Sequence, residues 1–217
     1  MKKGLTELVF ILDKSGSMSG LEADTIGGYN SMLVKQQAVE GECYITTVLF
    51  DNDYVLLHDR INIKAVSQIT EKEYQAGGST ALLDAIGRTI QKIGNAQKHT
   101  ADDYRAEKVV FVIITDGQEN SSREYSAEKV KAKIEHQKTK YGWEFIFLGA
   151  NIDAVETANR FGIRADRAQN YHADKDGVEL SFRVMSETVA SFRERDKMPE
   201  NWKDEIQKDY KRRGGKH

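Results

Sequence analysis

Asp13, Ser15 and Ser17 stand at alternate positions directly behind the apolar run Leu8-Val9-Phe10-Ile11-Leu12. One carboxylate and two hydroxyls on a single tight loop are hard oxygen donors, suited to Mg²⁺, Mn²⁺ or Ca²⁺ rather than to zinc or copper. Two distant segments bring more oxygen. Gly77-Gly78-Ser79-Thr80 opens a helical pattern, and Val112-Ile113-Ile114-Thr115-Asp116-Gly117 ends a second apolar run on an acid. Asp13 and Asp116 together come close to neutralising a divalent ion, while Ser15, Ser17 and Thr80 add neutral donors. Five side chains crowd a six-coordinate ion, so one or both acids are expected to act through water, as Mg²⁺ sites commonly allow. A coordination position left open would accept a carboxylate from a partner. Gly16, Gly77 and Gly78 allow the backbone to turn tightly beside these donors.

The elements that must position them follow from the hydrophobic periodicity. Residues 5–12 read as a strand buried on both faces, 44–50 and 54–58 as a hairpin around the Asp51-Asn52-Asp53 turn, and 108–115 and 143–148 as further buried strands. A short sixth strand is expected over 168–171. Helical spacing covers 21–39, the stretch from 80 to Gly94 or Asn95, 126–141 with Ser126 as its N-cap, 153–161 closed by Gly162, and 177–195. Residues 60–76 fit either a short helix or a loop. Strands alternating with helices predict an α/β fold: a doubly wound, mostly parallel sheet with helices on both faces and one antiparallel edge strand. In such sheets ligands bind beyond the carboxyl ends of the strands, where strand order reverses. Asp13, Thr80 and Asp116 all fall on that edge, so three segments far apart in sequence converge through topology.

The full set, Asp13-Lys14-Ser15-Gly16-Ser17-Met18, Gly77-Gly78-Ser79-Thr80 and Thr115-Asp116-Gly117, resembles the von Willebrand factor A domain with its metal-ion-dependent adhesion site, in its bacterial stand-alone form. The resemblance covers about residues 5–171. It implies a Rossmann-like fold, a metal held by Asp13, Ser15, Ser17, Thr80 and Asp116, with Mg²⁺ as the expected ion and Mn²⁺ or Ca²⁺ as alternatives, and metal-dependent protein binding rather than catalysis. The partner would offer an Asp or Glu carboxylate. The domain is expected over residues 1–173, with 174–217 as a C-terminal helix and charged, basic tail extending the same domain.

Composition sets the limits. The chain has 217 residues, a net charge of −2, one proline and one cysteine. A balanced charge gives no basic field for nucleic acid. No apolar stretch approaches the ~20 residues of a membrane span, and no cationic-then-apolar leader opens the chain. A cytoplasmic monomer is the expectation. The basic end, Lys208 to His217, reads as a solvated, disordered terminus.

The competing reading is an Mg²⁺-dependent phosphoryl-transfer or hydrolytic enzyme on a related sheet. Haloacid-dehalogenase-type phosphatases also place an aspartate after the first strand, but they need a second acid two residues later, where this chain has Ser15. Neither a Gly-x-x-x-x-Gly-Lys loop nor a Gly-x-Gly-x-x-Gly turn occurs. Several residues carry weaker claims. Asp84 could support the site from one helical turn beyond Thr80 or be a surface acid. Ser79 could replace Thr80, and Glu119 and Asn120 could line the rim or belong to an ordinary polar loop. The five histidines form no cluster, and Cys43, Tyr29, Trp143, Phe145 and Phe147 read as packing.

Overall fold

The computed structural model describes residues 1–215. The sheet has six strands in the order β3-β2-β1-β4-β5-β6: β1 Lys2–Asp13, β2 Cys43–Phe50, β3 Tyr54–Asn62, β4 Ala106–Thr115, β5 Glu144–Gly149 and β6 Ala168–Asn170. All neighbours run parallel except β3, which pairs antiparallel with β2 at the edge. The fold class expected from the periodicity is the one observed. Strand order reverses between β1 and β4, which are direct neighbours at the centre of the sheet.

Alternation along the strands divides the core into two layers. Leu8, Phe10, Leu12, Val110, Val112 and Ile114 pack with α1 (Glu22–Ala38) and α5 (Lys175–Arg195). Val9, Ile11, Val109, Phe111 and Ile113 face the opposite way, against α2 (Leu82–His99), α3 (Ala127–Tyr141) and α4 (Ala154–Arg160). Both faces of β1 and β4 are therefore dry, which is why their sequences are near-continuous apolar runs. The expected N-cap of α3 is present: Ser126 Oγ accepts from Lys129 N at 3.3 Å.

Two expectations need correction. Helix α2 does not stop at Gly94 or Asn95 but continues to His99. A Cβ at Gly94 would lie 3.3 Å from Gln137 Nε2, so this glycine serves helix–helix approach rather than termination. The C-terminal segment is not a solvated, disordered terminus: α6 (Asp204–Arg212) is docked on the molecule. Met198, Trp202 and Ile206 recur every four residues and enter the same apolar layer as α5. Trp202 Nε1 donates to Asp166 O at 2.8 Å, and Arg183 pairs with Glu205 at 2.6 Å. Three apolar anchors among many charges hold the segment down. Lys216 and His217 lie outside the described residues.

Candidate metal centre

The carboxyl edge of β1 and β4 is tied together by one side chain. Asp13 Oδ1 accepts from Ser15 N at 2.7 Å, an Asx-type turn that sets the direction of the following loop. Its Oδ2 accepts from Thr115 Oγ1 at 2.6 Å and Asp116 N at 3.4 Å. The Tyr74 hydroxyl donates to Asp13 O. Ser15 and Ser17 then point together, with Oγ atoms 3.1 Å apart.

Thr80 is delivered from the loop before α2, and that loop is clamped on both sides. Toward β1, Gly16 N donates to Gly78 O at 3.1 Å and Gly77 N to Lys14 O at 2.8 Å. Toward β4, Thr80 N donates to Asn120 Oδ1 at 2.9 Å and Asn120 N to Thr80 O at 3.1 Å. Gly78 has φ +72°, and a Cβ there would meet Asn52 Oδ1 at 2.2 Å, so only glycine fits. The β2–β3 turn supports the same loop: Ala81 N donates to Asp51 O at 2.8 Å, and Lys14 pairs with the Asp51 carboxylate. Asp51-Asn52-Asp53 is thus a hairpin turn, as read, and also a brace.

Gly117 shows how near the remaining donors are. A Cβ on it would lie 3.1 Å from Ser17 Oγ and 3.3 Å from Thr80 Oγ1. The two hydroxyls therefore flank one point on the loop that follows Asp116. All five candidate residues, Asp13, Ser15, Ser17, Thr80 and Asp116, gather at this edge. Ser79 is exposed, whereas Thr80 is buried, so Thr80 is the better-placed donor.

Both acids are nearly sealed from solvent, at 1% exposure each. Burial is the main force raising the Asp13 carboxyl above the ordinary range, and hydrogen bonds from Ser15 and Thr115 pull it back down. Burial also dominates for Asp116, pushed up to about 6; a bond from Asn151 opposes the rise and the Asp13 charge adds to it. Among the described residues no Lys, Arg or His forms an ion pair with either acid. The donor set is all oxygen, in keeping with a hard divalent cation. Among the described residues no group of three or more His, Cys, Asp or Glu is placed to hold a metal.

Asn151 and Tyr74 escaped the sequence reading, and Asn120, read there as a rim or loop residue, is a clamp on Thr80. Asn151, at φ +55°, donates to Asp116 Oδ1; its place just past β5 was the available signal. Asn120 and Tyr74 reach the site only through tertiary contact. Asp84 is buried rather than a surface acid. Its carboxylate accepts from the backbone of Arg123, Glu124 and Tyr125, each at 2.9 Å, and so shapes the loop after Gly117. Glu119 pins the same loop to α2 through Leu83 N at 2.8 Å.

The family model for the von Willebrand factor type A domain matches residues 7–181. The chain belongs to that family. Solved structures agree at the level of fold. A von Willebrand factor type A protein from Catenulispora acidiphila superposes with a TM-score of 0.58 at 15% identity, covering 86% of this chain and 42% of that one. The ArnB paralog VWA2 from Sulfolobus acidocaldarius gives 0.52 at 18%, covering 88% and 45%. Proximal thread matrix protein 1 from the mussel byssus, with a zinc-occupied MIDAS motif, gives 0.56 at 12%, covering 85% and 46%. The chain thus spans less than half the length of these three structures. No curated protein matches it. Among the described residues, no helix of this von Willebrand factor A domain is long and apolar enough to cross a membrane.

Proposed function

We propose that this domain binds a protein partner through a divalent cation held by Asp13, Ser15, Ser17, Thr80 and Asp116. An Asp or Glu carboxylate of the partner completes the coordination. One observation carries the reading: two buried carboxylates share a loop cluster with three hydroxyls and, among the described residues, pair with no cation. Uncompensated buried charge is costly, and an external divalent ion removes that cost. Asp13 has both oxygens engaged by Ser15 and Thr115, so it acts through water, while Ser15, Ser17, Thr80 and Asp116 stand closer to the ion. The cation supplies an electrophilic position open to a carboxylate. Mg²⁺ is the expected ion, with Mn²⁺ or Ca²⁺ as alternatives; the zinc-occupied motif of the mussel protein supports a divalent ion at this edge.

The domain is a binding module rather than an enzyme. Ser15 holds the position where a phosphatase of related fold needs its general acid, and the neighbouring Lys14 is committed to Asp51.

Titration calorimetry with Mg²⁺ should show one site that Asp13→Ala abolishes. A pull-down from native extract should recover a partner in Mg²⁺ and lose it in EDTA. Equal calorimetric signals from wild type and Asp13→Ala would end the metal reading, and phosphatase activity lost in Asp13→Asn would put the enzyme reading in its place.

A further inference from the structure

Helices α1 and α5 meet closely beneath the loop that carries Asp13. A Cβ at Gly28 of α1 would lie 2.4 Å from a ring carbon of Phe182 of α5, so this glycine lets the ring seat directly on α1. Thr25 stands just under one helical turn before Gly28, and Ser181 directly precedes Phe182. The contact carries both hydroxyl side chains into the interface, where Thr25 is 2% exposed and Ser181 1%.

Neither hydroxyl is satisfied by the protein. Among the described residues, Thr25 Oγ1 and Ser181 Oγ are buried atoms without a hydrogen bond. Thr188, two turns further along α5, shows the usual local solution: its hydroxyl donates to Val184 O at 2.7 Å. Ser181 does not take it. The Tyr74 hydroxyl lies near Thr25 but gives its proton to Asp13 O. Buried polar groups are as a rule bonded, to protein or to ordered water.

The two hydroxyl residues line the same small cavity, with Asp13, Met18 and Val178 among its other walls, and all five are buried. The space open to the centre of a water-sized sphere is about 10 Å³, roughly what one water molecule needs. Cavities that stay dry are apolar, whereas this one carries two hydroxyls and the oxygens of Asp13. A carbonyl or carboxylate oxygen can only accept, so a water here accepts from Thr25 and Ser181 and donates to Asp13. Three bonds is the ordinary complement of a buried water.

We infer that this cavity is a binding site for one water molecule, held by Thr25, Ser181 and Asp13. The water joins α1 and α5 to the end of β1 and completes the hydrogen bonding of an interface that Gly28 and Phe182 bring together. The site belongs to the metal-free fold and does not depend on the reading of the metal centre.

The test is made in EDTA, so that metal takes no part. Thr25→Val keeps the shape of the side chain and removes the hydroxyl. Loss of a dry, unpaired hydroxyl would leave the protein as stable or make it more so. Loss of a water-bonded one should raise the unfolding constant in urea about fivefold, the equivalent of one typical hydrogen bond. Thr25→Val combined with Ser181→Ala should raise it by clearly less than the product of the two single effects, because both act on one water. A crystal structure of the wild type should show a single ordered water within hydrogen-bond distance of both hydroxyls. A Thr25→Val variant no less stable than wild type, single effects that multiply in the double variant, or a wild-type density map without that water would each overturn the assignment.

Discussion

Glu7 near the start of β1 and Asp13 at its end are both buried acids, yet only Glu7 meets a cation from its own chain. Glu7 Oε2 accepts from Arg60 Nε at 2.8 Å and from Gln97 Nε2 at 3.2 Å. Burial raises its carboxyl, and the Arg60 charge and hydrogen bond work against that rise. Among the described residues Asp13 and Asp116 have only neutral donors: backbone amides, the Thr115 hydroxyl and the Asn151 amide. One strand thus displays two treatments of the same problem. At the amino end the protein closes the charge balance internally, and the acid is structural. At the carboxyl end the described residues leave the balance open beside a set of hydroxyls, the place where the proposed ion would enter.

The contrast is broken most severely at the closed end. Arg60→Met leaves Glu7 buried without its partner, at an expected cost of about 3 kcal/mol. Urea unfolding at pH 7 measures this, and adding Glu7→Gln should restore most of it. The loss should shrink as pH falls, because the raised Glu7 carboxyl then protonates and needs no cation. A loss below about 1 kcal/mol would show that water, not Arg60, satisfies Glu7.

On the proposed reading, the stabilising cation at the open end comes from solution. Wild type at 100 times its Mg²⁺ dissociation constant should gain about 2.7 kcal/mol, and Asp116→Asn should gain none. In EDTA the variant should be as stable as wild type or slightly more so, because one of two neighbouring buried charges is gone. Thermal melts with and without Mg²⁺ decide the matter. A variant destabilised in EDTA would mean that the Asp116 charge, like that of Glu7, already has an internal partner.

Proton competition sharpens the same point. Asp116 is raised to about 6 without metal, so its neutral form is favoured by folding. Its contribution to metal-free stability therefore falls as pH rises through 4 to 6. Metal binding has the opposite sense, since the ion needs the carboxylate. Between pH 7 and pH 5 the ionised fraction of a group titrating near 6 drops about tenfold, and Mg²⁺ affinity should drop with it. A flat profile over that range would separate Asp116 from the ion.

The core and the five oxygen-bearing residues were legible because each lies on or beside an apolar run whose direction fixes which end faces the ligand edge. Leu8 to Leu12 and Val109 to Ile114 alternate between two packed layers, and such runs admit few other topologies. What could not be read depends on contacts without periodicity. Asn151 and Tyr74 sit in irregular segments and meet the site only after the sheet has formed, and the clamp of Asn120 on Thr80 gave no signal beyond its place near the rim. Helix α6 was hidden by its charge, since Trp202 and Ile206 are isolated apolar residues in a polar stretch. Asp84 could be read either as a support of the site or as a surface acid, because its three partners are backbone amides from a loop 39 to 41 residues away.

The smallest effect on folding is expected at Thr80, which makes it the sharpest probe of the open end. Its backbone is fixed from both sides by Asn120, so the loop does not depend on the hydroxyl. Thr80→Ala leaves the charge balance unchanged and removes one oxygen beside Ser17 and Gly117. Metal-free stability should fall by no more than about 1 kcal/mol, the net value of a typical hydrogen bond. Mg²⁺ affinity should fall by about tenfold, equivalent to about 1.4 kcal/mol of lost coordination. Asn120→Ala is the matched control, because it removes the clamp and keeps the hydroxyl; it should lower stability more than Thr80→Ala does. Calorimetry and urea unfolding on the two variants separate holding the loop from holding the ion. If Thr80→Ala cost stability but left Mg²⁺ affinity intact, the threonine would belong with Glu7 among the residues the fold keeps for itself.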